Sequence, residues 1–171
     1  SQFAEAKNSF RETREIMGIG VCFFTEIVGA GPSKNCDILG LAMFDSCEIR
    51  VHPTGSATAR MSSKSQGQGH ETTYPQIIAS EIGIPADDIM VEEGNTDTAP
   101  YGIGTFGSRS TPVAGAAIAM AARKIRNKAQ MIAAYVLEVH EGDLEWDIDG
   151  FRVKGLPEKS KSMKEIAWVA Y

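Results

Sequence analysis

Two short glycine-containing turns carry the residue types best suited to binding a ligand. The first, which we call the glutamine loop, precedes a helical pattern and consists of Gln66, Gly67, Gln68 and Gly69. Glycine lets the backbone approach a ligand closely, and a helix start offers unpaired N–H groups to an anion. A glutamine amide donates and accepts hydrogen bonds, which suits a polar heterocycle. The loop predicts contact with a large, partly anionic cofactor, although the same pattern also occurs as a plain tight connection.

The second turn, which we call the serine loop, precedes the longest helical pattern of the chain. It consists of Phe106, Gly107, Ser108, Arg109, Ser110 and Thr111. Its hydroxyls and its guanidinium fork are suited to phosphate. The alternative is that serine and threonine only cap the helix while Arg109 points to solvent. If both helices pack on the same sheet edge, the two loops converge on one anionic ligand.

Candidate catalytic groups are lacking in this sequence. It contains no G-x-S-x-G elbow, no Walker A lysine and no H-E-x-x-H zinc motif. The acidic pairs at 87–88 and 92–93 are interpreted as surface groups, and Glu71 as a first-turn helix acid. The sequence therefore predicts a module that holds a cofactor and has no catalytic residue of its own.

The cysteines and histidines do not form a metal-binding pattern. The three cysteines have no C-x-x-C spacing, which predicts incidental thiols in a reducing cytoplasm. The three histidines are scattered along the chain, so the sequence predicts no metal ligands. These six residues are Cys22, Cys36, Cys47, His52, His70 and His140.

Length and composition are those of one soluble globular domain. The chain has 171 residues, of which 43% are hydrophobic and 23% charged, and its formal net charge is −5. No basic stripe is visible, which argues against nucleic acid as a partner. The longest run of small apolar residues, 112–122, is too short to span a bilayer.

The first half of the chain alternates strand and helix patterns. Residues 1–15 predict a charged flanking helix, and 17–28 predict a buried strand. Residues 47–53 and 56–61 alternate with period two and predict a hairpin. A helix over 71–82 ends at Gly83, a strand follows over 89–93, and a long irregular loop covers 94–107.

The second half begins with the long helix, for which serine or threonine as N-cap and Pro112 at the first position are predicted. Its core face is predicted as an i, i+4 series through Val113, Ala117, Ala121, Ile125, Ala129, Ile132 and Val136. A second hairpin joins 144–148 to 151–154 through Asp149-Gly150, and residues 162–171 predict a final helix. The fold class is α+β, a mixed β-sheet with helices packed mainly on one face.

Three segments carry a resemblance to a known family. They are SQGQGHETTYPQIIASEIGIP, EEGNTDTAPYGIGTFGSRSTPVAGAA and LEVHEGDLEWDIDGFRVKG. The chain resembles the molybdenum-binding large subunits of aerobic carbon monoxide dehydrogenases, within the xanthine oxidase family of molybdenum hydroxylases. The glutamine-glycine turn is general to the wider family. Its combination with APYGIGTFGSRST favours the carbon monoxide dehydrogenase-like branch.

The resemblance implies that both loops bind molybdopterin cytosine dinucleotide. The glutamine loop would lie against the dithiolene and the pterin. Gly107 would lie near the molybdenum, and the serines of the serine loop near the pterin or its phosphates. Phe106 stands where relatives more often have tyrosine, which removes a hydroxyl beside the metal.

The resemblance also implies an internal fragment of a roughly fourfold-longer subunit, beyond normal domain size. The family's glutamate beside molybdenum would lie far beyond Tyr171. The loop Ala-Tyr-Arg-Cys-Ser-Phe-Arg, whose cysteine holds copper in the carbon monoxide branch, does not occur here. None of the three cysteines is assigned to copper.

The parent is therefore expected to oxidise carbon monoxide with water, with iron–sulfur and flavin subunits as partners. The resemblance implies a cytoplasmic complex that can lie at the inner face of the membrane. The isolated 1–171 unit is expected to be inactive and to self-associate through apolar surface. Two alternatives stay open: a molybdenum hydroxylase acting on aldehydes or N-heterocycles, and a non-catalytic domain that binds an anion or a protein.

Overall fold

The computed structural model describes residues 2, 4, 5, 7, 8, 18–26, 28–33, 36 and 40–171. The helix predicted over 1–15 therefore lies mostly outside the described residues. The buried strand predicted over 17–28 is wrong, because residues 18–26 form neither strand nor helix and are exposed. Phe23, for example, is 92% exposed. A β-branched and aromatic run becomes a strand only where another strand pairs with it, and the described residues supply none here.

The first sheet contains three strands and is mixed. Strand β1 (Cys47–Val51) runs antiparallel to β2 (Ala57–Met61), as the predicted hairpin requires. Strand β3 (Ile89–Glu93) lies on the other side of β2 and is parallel to it. A parallel pair needs a crossover connection, and helix α1 (His70–Ile82) supplies it.

Helix α1 begins and ends at glycines in the left-handed region. Gly69 has φ 81° at the N-terminal end, and Gly83 has φ 70° at the C-terminal end. The sequence predicted that the helix ends at Gly83. A Cβ on Gly83 would also lie 2.5 Å from the carbonyl oxygen of Ile148. The buried residues Tyr74, Ile78 and Ile82 recur every four positions and face the core.

Helix α2 (Gly115–Leu137) follows a π-helical turn, Ser110–Ala114. The predicted serine or threonine N-cap is wrong, because no side chain caps either element. The predicted core face is displaced: its positions 117, 121, 125, 132 and 136 are only partly buried. The observed face is shifted by one position, which corresponds to about 100° around a helix with 3.6 residues per turn. The fully buried series is Ile118, Ala122, Ala129, Ala133 and Leu137.

The second sheet is antiparallel and contains β4 (Leu144–Asp147), β5 (Gly150–Val153) and β6 (Leu156–Ser162). The predicted hairpin is present, but its turn is shifted by one residue and Gly150 belongs to β5. A Cβ at Gly150 would collide with the carbonyl oxygen of Lys161 on the neighbouring strand. The sequence analysis missed β6, because this exposed strand (LPEKSKS) lacks apolar alternation.

The core lies between the first sheet and helices α1 and α2. Its buried members include Ala57, Ala59, Met61, Tyr74, Ile78, Ile118 and Ala122. This arrangement confirms the α+β class, with the second sheet as an addition to the predicted single sheet. Across the described ranges, no helix is long and apolar enough to cross a bilayer.

The final helix, α3 (Met163–Val169), begins at a capping box. Ser162 accepts from the Glu165 backbone, and the Glu165 carboxylate accepts from the Ser162 backbone and from Lys161 Nζ. Hydrogen bonds from Lys161 and then from Ser162 lower the pKa of Glu165 to about 2. A carboxyl group whose pKa is lowered by folding stabilises the folded state at pH values above its pKa in the unfolded chain. This stabilisation is lost as the pH falls through its pKa in the folded protein.

Replacing Glu165 by Gln should therefore lower the free energy of unfolding at pH 7 by about 0.5 kcal/mol, through loss of the ion pair and the helix-dipole interaction. The difference from wild type should disappear between pH 4.5 and pH 2. Urea unfolding across this range measures it. The control Glu158→Gln removes an exposed carboxylate of β6, and a difference that persists at pH 2 would contradict the assignment.

Candidate functional site

The glutamine loop and the serine loop line the same cleft, which has a volume of about 440 Å³. The two loops are thus brought together around one space, as their shared architecture suggested. Gly67, Gly69 and Arg109 do not line it. The lining residues are Gln66, Gln68, His70, Thr73, Thr105, Phe106, Gly107, Ser108, Ser110 and Thr111.

A single threonine hydroxyl joins the two loops. The backbone N–H of Lys64, just before the glutamine loop, donates to Thr105 Oγ1 over 3.0 Å. Ser110 Oγ donates to the same oxygen over 3.4 Å. Thr105 therefore fixes the separation of the two walls of the cleft.

Two glycines in the left-handed region shape the backbone of the glutamine loop. Gly67 and Gly69 have φ 95° and 81°, a region that glycine enters without strain. The N–H of Gln66 donates to the side-chain oxygen of Gln68, which folds the loop on itself. No side chain caps the start of α1, so no side chain satisfies the first backbone N–H groups of this helix.

A buried network anchors the glutamine loop to the end of β3. The Glu93 side chain is 7% exposed, and its Oε1 lies 2.8 Å from Nδ1 of His70. Its Oε2 accepts from the backbone N–H of Ser65 over 2.8 Å. Ser63 Oγ donates to Glu93 over 3.3 Å and lies 2.9 Å from the hydroxyl of Tyr74. The interpretation of the 92–93 pair as surface groups is therefore wrong for Glu93.

Among the described residues, one ring nitrogen of His70 has no hydrogen-bond partner. Its side chain is 3% exposed and its ring stacks on Tyr74 with centroids 4.5 Å apart. Nδ1 is taken by Glu93, whereas Nε2 is buried and has no hydrogen-bond partner among the described residues. Burial also raises the pKa of the Tyr74 phenol, so this hydroxyl remains protonated near neutrality.

Arg109 differs from the sequence expectation of a phosphate-binding fork. It is fully buried and donates to Asp45 Oδ2 over 2.7 Å and to the carbonyls of Ala30 and Met43 over 2.9 Å each. It also donates to the carbonyl of Gly104. Every nitrogen of the guanidinium is engaged inside the protein, so the side chain shapes the serine loop rather than facing the cleft.

The remaining serine-loop residues are held in an unusual backbone conformation. Gly107 and Ser108 have φ 55° and 52°, and Ser108 Oγ donates to Glu26 over 2.8 Å. The ring of Phe106 is 47% exposed and lies 5.1 Å from the Arg109 guanidinium carbon. The π turn that follows is a feature often found at functional sites.

Three lining residues were missed by the sequence analysis. His70 and Thr73 are three positions apart on the first turn of α1, so they share the helix face next to the glutamine loop. That spacing was available in the sequence. Thr105 lies in an irregular loop, where no periodicity marks the direction of a side chain.

Metal-binding groups are not clustered in the part of the chain that the structure describes. No set of three or more histidine, cysteine, aspartate or glutamate side chains there could hold a metal ion. Burial raises the pKa of Cys47 to about 12, which makes this thiol a poor ligand and nucleophile. The cleft thus offers hydroxyls, amides, backbone N–H groups and one imidazole.

Such a glycine-rich, polar cleft between helix starts suits an anionic cofactor. A family model described as "Molybdopterin cofactor-binding domain" matches residues 1–171. The chain belongs to this family of molybdopterin cofactor-binding domains.

Its relatives include enzyme subunits of this class. The chain is 81% identical over 160 residues to the carbon monoxide dehydrogenase large chain of Afipia carboxidovorans, covering 94% of this chain and 20% of the relative. It is 34% identical to the nicotine 6-hydroxylase large subunit of Paenarthrobacter nicotinovorans, covering 99% and 21%. These findings confirm the resemblance stated from the sequence, and the chain spans about a fifth of the length of the relatives it matches.

Solved structures give the same assignment. The crystal structure of a Cu,Mo-CO dehydrogenase matches with a TM-score of 0.82 and 74% identity, covering 99% of this chain and 22% of that one. Quinoline 2-oxidoreductase from Pseudomonas putida 86 matches with a TM-score of 0.75 and 34% identity, with the same coverages.

Replacing Arg109 by Lys should lower the free energy of unfolding by about 3 kcal/mol, because lysine cannot replace the buried set of donors. Urea unfolding measures the loss. The matched control is Arg123→Lys, since Arg123 pairs with Glu81 while its side chain is 59% exposed. The control should cost less than about 1 kcal/mol, and equal losses in the two variants would contradict the role given to Arg109.

Proposed function

We propose that the glutamine loop and the serine loop together hold molybdopterin cytosine dinucleotide. The observation that carries the proposal is the single cleft lined by both loops in a chain of the molybdopterin cofactor-binding family. Its volume of about 440 Å³ lies within the range of small-molecule sites.

Each loop has its own part in the proposal. Gln66, Gly67, Gln68 and Gly69 lie against the dithiolene and the pterin, where close backbone approach and amide hydrogen bonds are needed. Gly107 lies near the molybdenum, with Phe106 beside it. Ser108, Ser110 and Thr111 supply hydroxyls to the pterin or to the phosphates. Arg109 contributes by holding the serine loop from beneath.

The residues present fit an anionic, heterocyclic group. The start of α1 has no side-chain cap, which leaves its positive end for an anion. Gly67 and Gly69 have open space around them, so a ligand can contact their backbone. His70 lines the cleft, and its buried Nε2 has no hydrogen-bond partner among the described residues.

For the whole protein we propose the oxidation of carbon monoxide with water to carbon dioxide, two protons and two electrons. The identity of 81% to a carbon monoxide dehydrogenase large chain supports this substrate. The bound molybdenum cofactor supplies the redox chemistry, and the chain described here positions it. Copper ligation, the iron–sulfur and flavin partner subunits and a cytoplasmic location belong to the same proposal for the whole protein.

A second candidate is a molybdenum hydroxylase acting on an N-heterocycle or an aldehyde. It is favoured by the 34% identity to nicotine 6-hydroxylase and to quinoline 2-oxidoreductase. A non-catalytic domain that binds another anion or a protein is the third. Exposed apolar side chains, such as Phe23 and Trp168, support the further proposal that the isolated unit self-associates.

Replacing Gln68 by Ala in the full-length protein should lower its molybdenum and pterin content about fivefold, because one or two hydrogen bonds to the cofactor are lost. Metal analysis and pterin fluorescence after denaturation measure this loss. The matched control is Gln76→Ala on the exposed side of α1. Wild-type content in the Gln68 variant would remove the assignment of the glutamine loop, and a wild-type protein without pterin would favour the non-catalytic alternative.

The substrate proposal is tested separately on the cofactor-loaded full-length protein with its partner subunits. We expect reduction of an electron-accepting dye to depend on carbon monoxide, and little reduction with quinoline, nicotine or an aldehyde. Turnover of a heterocycle or an aldehyde without carbon monoxide oxidation would select the second candidate. The cofactor assignment would remain intact in that case.

A further inference from the structure

The buried network behind the glutamine loop ends in one unsatisfied atom. Glu93 accepts from the backbone N–H of Ser65 and from Ser63 Oγ, and contacts His70 Nδ1 over 2.8 Å. Tyr74 stacks on the imidazole ring and is itself fixed by Ser63. The ring is therefore held on one edge and one face, while Nε2 has no hydrogen-bond partner among the described residues.

The network decides which nitrogen of His70 is left for a ligand. An ionised carboxylate only accepts hydrogen bonds, so Nδ1 must carry the proton that is shared with Glu93. Nε2 then accepts from an N–H group when the ring is neutral, or donates to an anion when the ring is charged. In either form its direction is set by contacts that are buried and already made.

A buried nitrogen without a hydrogen-bond partner costs free energy unless a ligand forms a hydrogen bond with it. Buried polar groups in native proteins nearly always have a partner, and each exception calls for an explanation. His70 lies in the wall of the cleft, next to Gln68 and Thr73. A ligand lodged against that wall is the partner that the described residues do not supply.

We propose that Nε2 of His70 hydrogen-bonds a polar atom of the bound molybdopterin nucleotide, and that Glu93 orients the ring for this contact. The inference rests on the proposed function and adds a binding residue outside the two loops. It makes His70 a cofactor contact and Glu93 a positioning residue.

Two substitutions of His70 distinguish the role of Nδ1 from the role of Nε2. The amide of His70→Asn lies near the position of Nδ1 and retains a donor to Glu93, but nothing extends to Nε2. The longer amide of His70→Gln reaches the position of Nε2 and can donate or accept there. The control is His140→Asn, because His140 is exposed and lies in the turn before β4.

The experiment uses the full-length protein, purified with cofactor and also from cells unable to synthesise it. We expect the Asn variant to release pterin about tenfold faster than wild type, the effect of losing one good hydrogen bond. Release is followed by pterin fluorescence in the filtrate. The Asn variant should lose more melting temperature with cofactor than without it, because the lost ring packing affects both forms and the lost Nε2 contact only the loaded one. The Gln variant should release pterin at close to the wild-type rate.

Three results would overturn the inference while leaving the proposed function intact. They are a wild-type release rate in the Asn variant, equally fast release in the Asn and Gln variants, and an equal loss of melting temperature with and without cofactor. The last would mean that His70 only supports the fold. A wild-type protein that holds no pterin would remove the proposed function itself, and this inference with it.

Discussion

The ion pair between Arg109 and Asp45 is the interaction on which the shape of the cleft depends. Two charges removed from water must be matched closely, since burial of a charge is expensive and only good geometry offsets it. Here Asp45 also accepts from Ser62 Oγ and from the backbone N–H of Gly104. One carboxylate thus ties the end of β2 and the irregular loop before Thr105 to the guanidinium that supports the serine loop. This pair therefore supports the backbone that carries the hydroxyls of that loop.

Charged and uncharged side chains have different places in the site. The paired and buried charges of Arg109, Asp45 and Glu93 lie behind the loops. The cleft is lined by amides, hydroxyls, the ring of Phe106 and the imidazole of His70. A cofactor that brings its own charge and its own redox chemistry needs this kind of surface, because a fixed set of neutral donors stabilises an anion without competing ion pairs.

Local patterns predicted the parts of the fold whose causes are local. The hairpin of β1 and β2, helix α1 with its terminal Gly83 and strand β3 each follow from residues that are neighbours in sequence. The two loops were found for the same reason, since each is a glycine turn before a helix. The strand prediction over 17–28 was wrong because a strand forms only where a second strand pairs with it, and local sequence does not show whether one is present. Strand β6 was missed because an exposed strand can pair without an alternating apolar face.

The orientation of Arg109 could not be predicted from spacing. Its partners Asp45, Met43 and Ala30 lie 64, 66 and 79 residues away along the chain. The burial of Glu93 is similar, since His70 is 23 residues away and the acidic pair looks like any exposed strand end. Tertiary packing decides where such side chains lie, whereas secondary-structure propensity depends only on residues that are neighbours in sequence.

The widened turn at Ser110–Ala114 has a consequence for how the chain tolerates change in length. A π turn accommodates one residue more than an α-helical turn, and one residue corresponds to about 100° of rotation around the axis. Removing a residue from this turn would let it close as ordinary α-helix while Ile118 and Ala122 kept their places in the core. The hydroxyls of Ser110 and Thr111, which lie in this turn, would then point in a different direction. The number of residues in the turn therefore sets the direction of these hydroxyls independently of the packing of α2.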